Sequence, residues 1–122
     1  MVARRRRGLA TLVLAVAMIA GPVGTADAVT VGVRGVFNGS RYAWSPAVKG
    51  INTGVIVRWR SVDGSHTVKS RGTNWNYFRN VPAGTSVTRT FNRRGTFRYY
   101  CTIHGSVVNG VCSGMCGRIV VS

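Results

Sequence analysis

The chain has 122 residues, 17 Lys and Arg against 2 Asp and Glu, a formal charge of +15 and 45% hydrophobic residues. That length holds one modest domain. With Asp27 and Asp63 the sole side-chain carboxylates, glycosidase and aspartic-protease mechanisms are excluded, since both need a carboxylate pair. Short runs of Val, Ile, Leu and aromatic residues along the whole chain supply a core and argue against disorder.

Arg4 to Arg7 precede an apolar run from Leu9 to Ala20, then Gly21-Pro22 and Ala26-Asp27-Ala28. This order is that of a secretory signal peptide, residues 1–28, with cleavage after Ala28. The run spans 12 residues, short of the roughly 20 that cross a bilayer. A twin-arginine export signal fits less well, because Gly8-Leu9-Ala10 departs from its usual context. Removal of 28 residues, four of them Arg and one Asp, leaves 94 residues with 13 basic and 1 acidic side chain, a formal charge of +12. The basicity therefore belongs to the domain, residues 29–122, and suits acidic proteins or an anionic cell-envelope surface. Nucleic acid is not expected as a partner, because the arginines are scattered in sequence and the product is extracytoplasmic, secreted or periplasmic.

Val29, Val31 and Val33 alternate with Thr30 and Gly32 and lead to Val36-Phe37, the period-two pattern of a half-buried strand. Asn38-Gly39-Ser40 breaks it, and Arg41 to Trp44 forms a second strand closed by Ser45-Pro46. A third, Gly54 to Arg60, sets Val55, Val57 and Trp59 on one face before the Asp63-Gly64 turn. His66 to Ser70 is extended again, Arg71 to Asn74 reads as loop, and Trp75, Tyr77 and Phe78 follow. Beyond the Pro82-Ala83-Gly84 turn, Ser86 to Phe91 and Thr96 to Cys101 are further strands, joined through Asn92 to Gly95. Helical periodicity is absent. About seven to eight short strands predict an all-β, antiparallel sandwich, with Phe37, Trp44, Trp59, Phe91 and Phe97 in its core.

Four side chains stand apart from this scaffold: His66 after a turn, Cys101 and His104 in Cys101-Thr102-Ile103-His104, and Met115. Two imidazoles, a thiolate and a thioether are the donors of a copper electron-transfer site, with His, His and Cys in a trigonal plane and Met as a weak axial ligand. Thiolate and thioether suit Cu(I), whereas imidazole suits Cu(II). Zinc would also accept two His and a Cys. Each residue alone has an ordinary structural role; the combination is what points to metal. A catalytic cysteine with His104 as base lacks a carboxylate or amide to orient the imidazole, and no enzymatic activity is expected.

From Tyr42 to Val121 the chain resembles the cupredoxins of the plastocyanin and azurin type. The likeness rests on Ser45-Pro46, Gly54 to Trp59, Asp63-Gly64-Ser65-His66-Thr67-Val68, Pro82-Ala83-Gly84, Gly95 to His104 and Gly114-Met115-Cys116-Gly117 before a valine-rich last strand. It implies a Greek-key β-sandwich, one copper ion on His66, Cys101, His104 and Met115, and single-electron exchange through the exposed edge of His104. Gly105, Val107 and Val108 would join His104 in the docking end, and a monomer meeting acidic redox proteins is the expected form. A copper carrier or buffer without electron turnover would use the same ligands, and a metal-free sandwich binding polyanions is a third reading.

Three features depart from the family pattern. Ten residues separate His104 from Met115, more than the family's usual two or four, so Ser106 to Ser113 forms an added segment. Cys112 and Cys116 flank Met115, and Ser61 stands where Asn is frequent, which is expected to weaken a hydrogen bond between the ligand loops. In an oxidising compartment three cysteines make one disulfide. Cys112 and Cys116 are near enough in sequence to form it, leaving Cys101 free and holding Met115 close to the metal.

Overall fold

A computed structural model describes residues 27–122. The leader expected over residues 1–28 lies outside them but for Asp27 and Ala28, both exposed. Nine strands and no helix occur among the described residues. They are β1 (Thr30–Phe37), β2 (Tyr42–Ser45), β3 (Val48–Ile51), β4 (Val55–Ser61), β5 (His66–Arg71), β6 (Phe78–Val81), β7 (Ser86–Phe91), β8 (Gly95–Val108) and β9 (Val111–Val121). One sheet runs β2-β1-β4-β7 and the other β3-β9-β8-β5-β6.

The all-β sandwich is as the alternation predicts, with two differences. The count is nine, because β3, Val48-Lys49-Gly50-Ile51, carries too little alternation to be read as a strand. The sheets are mixed: β1 lies parallel to β4 and β3 parallel to β9. Both of those pairs are non-sequential, so no local turn signal could have revealed them.

Alternation sorts the side chains between core and solvent. In β4, Val57, Trp59 and Ser61 are buried while Arg58 and Arg60 are exposed. Trp59 is fully buried and meets the rings of Tyr77, Phe91 and Tyr99 at centroid distances of 5.8, 6.2 and 5.3 Å. Trp44, Phe91 and Phe97 are buried as expected. Phe37 is not: it closes β1 at the sandwich rim, 47% exposed, against Tyr42. Tyr99 faces Gly117 directly across β8 and β9, where a Cβ would stand 2.5 Å from the phenol. The glycine thus gives the ring its place, and burial pushes the phenol well above the ordinary tyrosine pKa.

Asn109-Gly110 is the turn that converts the added segment into structure. Asn109 has φ +51° and Gly110 φ +74°, the double left-handed requirement of a two-residue hairpin turn. Residues 105–108 therefore pair with 111–114. What the family comparison suggested as a lengthened loop is a continuation of β8 and β9 beyond the sandwich.

Candidate metal centre

The β8–β9 ladder breaks once, and the candidate ligands lie at the break. Tyr100 pairs with Cys116 and Gly105 pairs with Gly114. Four residues of β8, Cys101 to His104, thus oppose Met115 alone. The surplus bulges outward and turns Cys101 and His104 toward one point. The opposite strand bends at Gly114, whose φ is +82°, and a Cβ there would collide with the His104 carbonyl oxygen. Glycine is required at that position by both the backbone angle and the close approach.

His66 reaches the same point from the start of β5. Its Nδ1 is 3.2 Å from His104 Nδ1 and 3.9 Å from Cys101 Sγ, and His104 Nδ1 is 3.6 Å from that sulfur. Cys101 and His66 are buried, and His104 is half-buried. His66 Nε2 lies 2.6 Å from the Asp63 carbonyl oxygen. A carbonyl only accepts, so Nε2 carries the proton and the neutral ring presents its Nδ1 lone pair to the cluster. Burial holds the His66 pKa below its ordinary value of 6.5, against the opposing pull of the Asp63 hydrogen bond. The neutral form is the one that ligates.

Sequence reading missed several residues that set this geometry. Gly35 lies in β1 beneath the His66 ring, where a Cβ would stand 2.5 Å from His66 Cδ2 and 3.2 Å from Met115 Cε. A glycine within a valine-rich strand was the available signal for a close approach, although β1 carries two and a Cβ at Gly32 would meet nothing. The Gly35 carbonyl also accepts from Val62 and Asp63 N–H at 3.0 and 3.1 Å, fixing the turn that carries His66. Thr67 joins the two ligand segments: its N–H donates to Cys101 Sγ at 3.4 Å, and its Oγ1 accepts from Thr102 N–H at 2.8 Å. Ser61 takes no part in this link. Its hydroxyl donates to the Val81 carbonyl at 2.6 Å, bracing the neighbouring turn, while Thr67 binds the loops together. Tyr42 lies over His104 with ring centroids 4.1 Å apart.

The disulfide forms as the spacing suggested, Cys112 to Cys116, and Cys101 is the free cysteine. Its Cα atoms are 6.3 Å apart although both lie on β9. Four residues of extended strand would span roughly 13 Å. The bridge therefore holds β9 bent around Met115, which is fully buried.

The donor set fits a single type 1 copper ion. One ligand atom from each of His66, Cys101 and His104 lies within 4.8 Å of the others, and two imidazoles and a thiolate with a thioether close by are the donors of such a site, whereas closed structural zinc sites draw their donors from Cys and His.

No protein-family model matches the sequence, and no curated protein is similar to it. Solved structures are. A copper-containing nitrite reductase from Thermus scotoductus superposes with a TM-score of 0.61 at 21% identity, over 77% of this chain and 22% of the reductase. Pseudoazurin from Methylobacterium extorquens gives 0.59 at 18% identity, over 76% of this chain and 75% of its own. A purple cupredoxin from Nitrosopumilus maritimus gives 0.55 at 21% identity, over 77% of this chain and 99% of its own. The fold is that of the cupredoxins. This chain spans about a fifth of the reductase (22%) but most of both small cupredoxins, so the likeness is to one whole sandwich domain.

Proposed function

We propose that this chain is an exported single-electron carrier that holds one copper ion through His66, Cys101, His104 and Met115. The observation that carries the reading is the convergence of two Nδ1 atoms and one sulfur within 4.8 Å of one another, with a buried methionine opposite the ligand bulge. Bound copper supplies a couple, Cu(I)/Cu(II), that exchanges one electron. The chain's own residues keep the ligands still while that happens. Asp63 fixes the His66 tautomer, Thr67 ties Cys101 to β5, and the disulfide holds the strand that carries Met115. Ligands placed in advance suit electron transfer, because little rearrangement accompanies the change of charge. They also suit a carrier rather than an enzyme.

Export is supported by the leader sequence and by a disulfide, which persists in oxidising compartments. His104 is half-buried, and Phe37 and Ile103 expose 47% and 58% of their surfaces. With Tyr42 over His104 these residues form an apolar rim on which a redox partner would seat. The +12 charge of residues 29–122 selects acidic partners and predicts association that slows as salt rises.

Visible absorption and electron paramagnetic resonance of the copper-loaded protein test the reading. An intense blue band with narrow hyperfine splitting is expected, and Cys101→Ser should abolish both. A protein that stays colourless with copper overturns it. Electron self-exchange separates a carrier of electrons from a carrier of copper: sluggish exchange with ready release of the ion to a chelator would favour the second.

A further inference from the structure

The arginines scattered along the sequence are gathered by the fold. Arg71 on β5 lies directly opposite Arg98 on β8, and Arg98 lies directly opposite Arg118 on β9. Three guanidinium side chains thus form one row across three adjacent strands on the outer face of the five-stranded sheet. Lys69, which pairs with Tyr100, begins the next row. Like charges directly opposite in a sheet destabilise it, and nothing in the chain offsets these. Its two side-chain carboxylates are Asp27 and Asp63; Asp27 is exposed ahead of β1, and Asp63 accepts the Phe37 N–H at 3.0 Å.

The row also borders an open recess, with Arg98 and Arg118 exposed and Arg71 half-buried. The three arginines line a cavity of about 250 Å³ with Val48 on one side and Cys112 and Cys116 on the other. Arg71 Nη2 donates to the Gly110 carbonyl at 2.7 Å, which draws the hairpin tip toward the same face. Three guanidinium groups with no carboxylate partner thus border one recess. Guanidinium is the side chain that recognises oxyanions by paired N–H donors. Donors arriving from three strands suit an anion whose acceptor oxygens point in several directions, as those of a tetrahedral ion do.

We propose that this recess binds a tetrahedral oxyanion of the phosphate and sulfate class between Arg71, Arg98 and Arg118. The anion neutralises the row and bridges the sheet to the disulfide-closed arm. The site is separate from the His66, Cys101 and His104 cluster and does not depend on which metal binds there. Its ligand is either the free ion or the phosphate of an anionic lipid headgroup.

Thermal unfolding of the full chain in phosphate, against chloride at equal ionic strength, tests the site, with Arg98→Gln beside it. The midpoint of the native chain should rise by roughly 10 °C at phosphate about a hundredfold above its dissociation constant. Arg98→Gln should lose most of that rise, whereas Arg58→Gln, an exposed arginine of the other sheet, should keep it. Arg118→Gln replaces Arg98→Gln if the latter fails to fold. Co-sedimentation with phosphatidylglycerol vesicles distinguishes the source. Binding that Arg98→Gln abolishes, without a response to free phosphate, assigns the recess to headgroups. Phosphate that acts no differently from chloride, together with vesicle binding unchanged in Arg98→Gln, overturns the proposal.

Discussion

The two halves of the β8–β9 ladder are made of the same two strands and held by different forces. From Gly95 to Tyr100 against Cys116 to Val121, the inward side chains are Phe97, Tyr99, Ile119 and Val121, all buried. From Gly105 to Val108 against Val111 to Gly114, the apolar tip residues Val108 and Val111 are 63% and 68% exposed. There the backbone ladder is supplemented by the Arg71 bond to Gly110 and the facing hydroxyls of Ser106 and Ser113 at 3.2 Å, and the disulfide ties the outer part of β9 back to Cys116 in the inner half. The inner half is fixed by packing and the outer by a few discrete ties. The ligand cluster lies at the junction, so it takes its position from the first and its remaining freedom from the second.

Core truncation probes the inner half most strongly. Trp59→Ala removes a fully buried ring that meets three aromatic neighbours. It should cost about 3–5 kcal/mol, read as a fall in the denaturant midpoint. Val108→Ala in the outer half should stay within about 0.5 kcal/mol. Equal losses at the two positions would break the distinction between the halves.

Next in size is the tie that defines the outer half. Replacing Cys112 and Cys116 together by Ser removes a cross-link that closes a very short loop, worth about 2 kcal/mol by the loop-entropy relation. Because the bridge spans Met115, the same variant should also alter the visible spectrum of the copper-loaded protein, where Val108→Ala should not. A change in stability with an unchanged spectrum would mean that Met115 is held from the inner side alone.

The sandwich and the ligands were legible in the sequence for a common reason. Alternation along single strands, as at Val55, Val57 and Trp59, is local, and the donor chemistry of His66, Cys101, His104 and Met115 shows in residue type. What was not legible depends on pairing between distant segments. Gly35 matters only because β1 passes beneath His66, and the parallel pairing of β1 with β4 leaves no local mark. The arginine row appears only when Arg71, Arg98 and Arg118 come into register. The hairpin is an intermediate case: Asn109-Gly110 is a strong turn signal, obscured because a longer ligand loop was the simpler reading of the added segment from Ser106 to Ser113.

The smallest effect is a titration confined to the junction. His66 has a folded-state pKa below its ordinary value of 6.5, chiefly through burial, with the nearby His104 adding to the shift. The unfolded chain therefore binds a proton more readily than the folded one. In the metal-free protein the stability from keeping His66 neutral is fully present above about pH 6.5. It declines as pH falls from there through the lower folded value, because protonation then favours unfolding. Denaturant midpoints should follow that course, and His66→Gln should flatten it. Neither half of the ladder supplies a titrating group in this window. A pH dependence that survives His66→Gln would assign the acid-sensitive tie to a group other than His66 and overturn this account of its burial as the source.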